Sequence, residues 1–84
     1  MRKRYKKELK KFFCEKVKEF RVSNNKTQAQ IAEVLVMDTT NYNHLERGKS
    51  CCSALTLSLF LIYICSDPMQ FLAELKETFE NTSK

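Results

Sequence analysis

Between Thr27 and Gly48 the chain reads TQAQIAEVLVMDTTNYNHLERG, and two helix-start signals stand so close together there that few arrangements remain open. Thr27 followed three residues later by Gln30 is a capping box: the hydroxyl accepts from a free backbone N–H and the amide reaches back to the cap. A helix is therefore expected to begin near Gln28. Ile31, Ala32, Val34 and Leu35 follow at helical spacing and give it an apolar stripe. Asp38 is the next N-cap candidate and predicts a second helix from Thr39. Tyr42 and Leu45, three apart, face inward on it, which leaves Thr39, Thr40, Asn41, Asn43 and His44 mainly outward. Gly48 closes this helix as a left-handed C-terminal residue. Only Val36, Met37 and Asp38 separate the two helices. So short a link does not let them lie antiparallel; they cross steeply, and Ala32 is small enough to let their backbones approach.

The flanking sequence supplies the rest of one small domain. With 84 residues, one Gly and one Pro, the chain is expected to be a single, mostly helical unit. Residues 1–7 read as a basic N-terminal arm and residues 8–80 as the domain proper. A first helix is expected from Glu8 to Val22, with Phe12 or Phe13, Val17 and Phe20 as its apolar stripe, ending at Ser23-Asn24-Asn25. Ser53 can cap a fourth helix running to about Cys65. Ala54, Leu57, Leu61 and Ile64 form its inward stripe; Leu55, Leu59, Ile62 and Tyr63 lie away from it. A helix apolar on most sides is either buried all round or meets a partner. Asp67-Pro68-Met69-Gln70 signals a fifth helix carrying Phe71, Leu72, Leu75 and Phe79.

The net charge of +5 is unevenly spread. Residues 1–26 hold eleven Lys/Arg against three Glu, and the remainder is net acidic. A basic third suits a polyanion, although a solvated helix face has the same composition. The segment Arg2–Lys11 either reaches out as an arm or lengthens the first helix. Cys14, Cys51, Cys52 and Cys65 show no metal-ligand spacing; Cys14 and Cys65 fall at core-like positions, and free thiols fit a reducing cytoplasm. The apolar run Ala54–Cys65 is too short to span a bilayer. One His, no nucleophile–base constellation and no Gly-rich phosphate loop speak against an enzyme, and no cofactor or metal is expected.

Thr27-Gln28, Ile31-Ala32, Leu35, Met37, Tyr42, Leu45 and Glu46-Arg47-Gly48 together resemble, without gaps, the pattern of the Cro/repressor-type (XRE-like) helix-turn-helix family. The resemblance covers roughly residues 13–75. It implies an all-α, compact five-helix, lambda-repressor-like domain whose helices 2 and 3 form the helix-turn-helix. It also implies a sequence-specific double-stranded DNA-binding transcriptional regulator, a repressor, that reads the major groove with the helix starting near Thr39. On that basis Thr39, Thr40, Asn43 and His44 map to base-reading positions, where Asn can pair with adenine, Thr can touch a thymine methyl and His can donate or accept. Gln28, at the start of helix 2, and Arg47, Lys49 and Ser50, after helix 3, map to phosphate contacts. Arg21 and Glu46 map to a structural pair that braces helix 3. A homodimer through Leu55, Leu59, Ile62, Tyr63 and the fifth helix is the expected assembly, with fold-back of the fifth helix over that face as the alternative. A competing functional reading is an antitoxin-like protein-interaction module built on the same apolar helices. The family's turn usually carries Gly where Val36 stands, so either the turn is built differently or it is strained.

Overall fold

The computed structural model describes residues 2–83, and among these there is no strand. Five helices follow one another: α1 (Arg2–Ser23), α2 (Gln28–Val34), α3 (Thr39–Glu46), α4 (Ala54–Leu59), which runs on through a π-helical turn (Phe60–Ile64), and α5 (Pro68–Ser83). Short α2 and α3 pack on each other and α3 packs on α1. The long α1 is flanked on its other side by α5.

The expected start of α1 at Glu8 is corrected: the helix begins at Arg2 and absorbs the described part of the basic arm. Propensity alone would not predict this, because the first turn holds cations and no acid, which opposes the positive end of the helix dipole. Docking on α5 supplies the compensation. Tyr5 meets Phe79 edge-on at 5.1 Å, Phe12 meets Phe71 at 5.1 Å, and an Arg4 guanidinium N–H donates to the Thr82 carbonyl at 3.3 Å. Lys16 and Glu74 add an ion pair at 3.2 Å between the same two helices.

The core contains Phe13, Val17, Ile31, Ala32, Leu35, Tyr42, Leu45, Phe60, Cys65, Phe71 and Leu75. Phe60 is its hub. Its ring lies 5.0 Å from Phe13, 5.7 Å from Phe20 and 5.3 Å from Phe71, so one side chain joins α1, α4 and α5. Such tilted ring pairs add roughly 0.5–1.5 kcal/mol each beyond the area they bury. The expected inward stripe of α4 holds in part: Leu57, Leu61 and Ile64 pack against the core, and Ala54 does not. Ala54 is exposed and Leu57, Leu61 and Ile64 are only half-buried, whereas Thr56, Phe60 and Cys65 are buried. Thr56 and Phe60, four apart on the regular turns, set the buried line; after them comes a π turn, in which the Cys65 N–H donates to the Phe60 carbonyl five residues back, at 2.8 Å. One extra residue in the turn shifts the buried register from 64 to 65.

Helices α1, α2 and α3 end alike. After each, one residue turns left-handed: Asn25 at φ 56°, Val36 at φ 56° and Gly48 at φ 75°. Around each, two backbone N–H groups fold back on the last carbonyls, Lys26 to Arg21, Met37 to Ala32 and Lys49 to His44 being the bonds of each pair that reach five residues back. Val36 therefore occupies the turn in the conformation that glycine favours, with its side chain 78% exposed. A β-branched residue there costs about 1–2 kcal/mol in backbone strain, and little burial offsets it. Val36→Gly is expected to raise unfolding free energy by about 0.5–1 kcal/mol after the entropy of glycine in the unfolded chain is deducted. Urea unfolding of the two proteins measures this; a less stable glycine variant would show that the valine methyls hold the turn.

Candidate nucleic-acid interface

The geometry of α2 and α3 starts at their caps. The Gln30 N–H donates to the Thr27 hydroxyl at 3.1 Å and the Thr27 N–H to the Gln30 amide oxygen at 2.8 Å, closing both halves of the capping box. On α3 the Asn41 N–H donates to one Asp38 oxygen at 2.7 Å, and the Asn41 amide donates to the other at 3.0 Å. Asn41 is thereby committed to its own cap. With Tyr42, Leu45 and Glu46 buried, the 3.6-residue period turns Thr39, Thr40 and His44 fully to solvent and leaves Asn43 half-buried at the edge facing α2.

Beneath that surface runs a polar chain linking three helices. Arg21 of α1 clasps Glu46 of α3 with two bonds, Nε to Oε2 at 2.9 Å and Nη2 to Oε1 at 2.8 Å. A third N–H of Arg21 donates to the Lys26 carbonyl at 3.1 Å, which fixes the α1–α2 link. Gln28 of α2 donates to Glu46 Oε1 at 3.3 Å and accepts from the Asn43 amide at 3.3 Å. Burial by itself would raise the Glu46 carboxyl, but the bonds it accepts, Arg21's foremost, outweigh this and hold it below the ordinary carboxylate range. Its carboxylate in turn raises Arg21 further. The Tyr42 hydroxyl lies beside this pair in a fully buried position; among the described residues it makes no hydrogen bond of good geometry, and burial, ahead of the nearby Glu46 charge, raises its ionisation well above normal.

Sequence reasoning places Gln28 and Asn43 on the nucleic-acid side. The structure brings them together with Glu46, so both amides are already oriented from behind, each with further hydrogen-bonding capacity. Arg47, Lys49 and Ser50 are exposed in the segment leaving α3. This segment lies close on α1: a Cβ at Gly48 would stand 3.3 Å from Cys14 Sγ, and the Cys51 thiol points at the Lys6 carbonyl at 3.9 Å. Lys3, Lys6, Lys7 and Lys10 consequently line one groove with Lys49, Ser50 and Cys51. The sequence carried a signal for this in the i, i+3, i+4, i+7 spacing of those lysines, legible once the helix is known to begin at Arg2. Of the expected dimer face, Leu55, Ile62 and Tyr63 are 65–69% exposed, whereas Leu59 is corrected to a half-buried residue packed against the protein's own core.

A helix-turn-helix family model, HTH_3, matches residues 17–63, more than half of the chain. No curated protein and no solved structure gives a match.

Removing Arg21 strands a buried carboxylate, whereas neutralising Glu46 leaves an arginine that retains some solvent contact. Arg21→Met should therefore cost about 3 kcal/mol and Glu46→Gln about half of that. Because the folded Glu46 carboxyl is held down, its contribution is present above an unfolded value of about 4.3 and is lost as pH falls through the lower folded value. The stability gap between the wild type and Glu46→Gln should close on acidification below about pH 4, as followed by urea melts across pH; a gap constant down to the acid transition would contradict it.

Proposed function

The chain belongs to the XRE-type helix-turn-helix family of DNA-binding regulators, and from that premise we propose that it recognises a specific duplex operator and represses transcription by occupying it. The observation that carries the reading is the outward face of α3. Thr39, Thr40 and His44 are exposed and Asn43 stands at the edge, on a helix braced from beneath by the Arg21–Glu46–Gln28 chain. A rigid helix presenting small polar side chains fits the major groove, where Thr, Asn and His can bond base edges.

Phosphate contacts set the register of such a helix. Gln28, at the start of α2 beside Asn43 and Glu46, and Arg47, Lys49 and Ser50, which follow α3, are the groups for that role. Asn43 has a double part: its amide donates to Gln28, which leaves its oxygen and its remaining N–H for adenine or for water-bridged contacts. Arg21 and Glu46 touch no DNA in this scheme; their pairing also keeps a carboxylate from facing phosphate.

Repression by a small domain is best served by two copies on two half-sites. Leu55, Ile62 and Tyr63 on the fourth helical segment and Met69 and Leu72 on α5 are exposed and apolar. They form the proposed homodimer face, with Leu59 beneath as support. The same residues would serve a protein partner if the protein-interaction reading held. No helix among the described residues is long and apolar enough to cross a membrane, and a DNA target places the proposed action in the cytoplasm.

Selection from random duplex DNA tests the proposal. A palindromic consensus with half-sites about one helical turn apart is expected; no enrichment over non-specific binding would remove the specific-reader assignment. Thr40→Ala should weaken discrimination at one base position by about 1–2 kcal/mol while leaving the salt dependence alone. Replacing Ile62 and Tyr63 with Lys should yield a monomer by sedimentation and abolish the preference for paired half-sites. A dimer that survives both substitutions would move the interface elsewhere.

A further inference from the structure

We infer that the first half of α1 is a second, rigid phosphate-binding element that grips the DNA backbone beyond the reach of the helix-turn-helix itself. The inference rests on the DNA-binding reading above and adds a footprint to it. Its residues lie outside the family match, which begins at Val17.

Three observations converge. The first is periodicity: Lys3, Lys6, Lys7 and Lys10 fall on one face of α1, while Tyr5 and Phe12 pack on Phe79 and Phe71 of α5. The lysine face is thus oriented by packing on the opposite side and does not swing as an arm would. The second is continuity with the proposed reader. These four lysines share an open groove of about 470 Å³ with Lys49, Ser50 and Cys51, which follow α3 directly. A backbone held by Lys49 would run on into it.

The third is uncompensated charge. Among the described residues none of these five lysines forms an ion pair. Glu8, the carboxylate in this half of the helix, does not line this groove; it borders the neighbouring one with Thr78 and Asn81, which Lys3 and Lys7 also edge. Five clustered cations, three basic residues of the first turn set against the helix dipole, and no internal partner raise the energy of the folded protein. A polyanion seated in the groove relieves the mutual repulsion of the five lysines. From Lys3 to Lys10 the helix rises roughly 10 Å, about three base-pair steps along one DNA strand at 3.4 Å each. Two to three phosphates are therefore within reach of each protomer.

The test compares the wild type with a variant in which Lys3, Lys6, Lys7 and Lys10 are all changed to Gln, and with the corresponding all-Arg variant, on a mixed-sequence duplex and on the selected operator. All three proteins should fold, since these side chains lie on the solvent side of α1; the Gln variant should melt no lower than the wild type. Each phosphate that is no longer neutralised lowers the slope of log affinity against log salt by about 0.9, so the slope should fall by about 2 per protomer in the Gln variant and stay unchanged in the Arg variant. The ratio of operator to mixed-sequence affinity should stay as in the wild type. As a second readout, duplex binding should protect Cys51 from iodoacetamide in the wild type and protect it less in the Gln variant. A wild type that selects an operator, paired with a Gln variant of unchanged slope and unchanged Cys51 protection, overturns the groove and leaves the helix-turn-helix reading intact. A wild type that binds no duplex overturns both. A Gln variant that keeps its DNA slope but loses binding to vesicles of anionic phospholipid assigns the lysines to a membrane surface and overturns the proposal.

Discussion

Arg21 and Glu46 sit where three helices must agree. Arg21 leaves α1 near its C-terminal end, Glu46 closes α3, and the guanidinium also holds the Lys26 carbonyl at the entrance to α2. Fixing these groups fixes how α3 lies on α1 and where α2 begins, and Gln28 extends the tie to Asn43 on the α3 surface. Cutting one member leaves a charge in low dielectric, so the arrangement resists partial loosening. The short apolar contacts of α2 and α3 alone would allow their angle to drift. The outward face of α3 is thus only as well aimed as the buried pair beneath it.

Much of this centre was legible in the chain because it depends on local chemistry. Thr27 with Gln30, Asp38 and Gly48 each announce a helix boundary through hydrogen bonds made within four or five residues, and the boundaries fall where those signals stand. What escaped is non-local. The start of α1 could not be placed, since nothing near Arg2 favours a helix there and the stabilising contacts come from Phe79 and Thr82, far along the chain. Phe60 was missed for a related reason. The segment is apolar on most sides, so a helical wheel does not single out the Thr56–Phe60 line, and the π turn after Phe60 then moves burial from Ile64 to Cys65. Of the site residues, Asn43 and Gln28 could be located, but not their mutual bond, which needs the crossing of α2 and α3 to be known.

The two ends of α1 perform different work on one rigid rod. Its C-terminal half belongs to the helix-turn-helix core through Phe13, Val17 and Arg21. Its N-terminal half is held by α5 and carries the basic face. Because one continuous helix joins them, the lysines cannot move relative to α3 without unpacking Phe12 from Phe71 or bending the rod. On the proposed reading, electrostatic contact and sequence reading would be set in fixed register by the same helix, whereas a loose arm would find its phosphates independently.

The three matching helix ends also differ in how freely their residues can be replaced over time. At positions 25 and 36 only the backbone angle is demanding, and the side chains of Asn25 and Val36 project into open solvent. The penalty there is confined to the backbone angle, with no neighbouring side chain to displace, so a valine can stand where glycine is favoured. Position 48 lacks that latitude, because Cys14 Sγ stands against the place a Cβ would take and Lys49 to Cys51 must still reach α1. The single glycine of the chain therefore marks its least exchangeable turn. A side chain at position 48 would carry the strain of the left-handed angle and would also oblige the Cys14 thiol to give way.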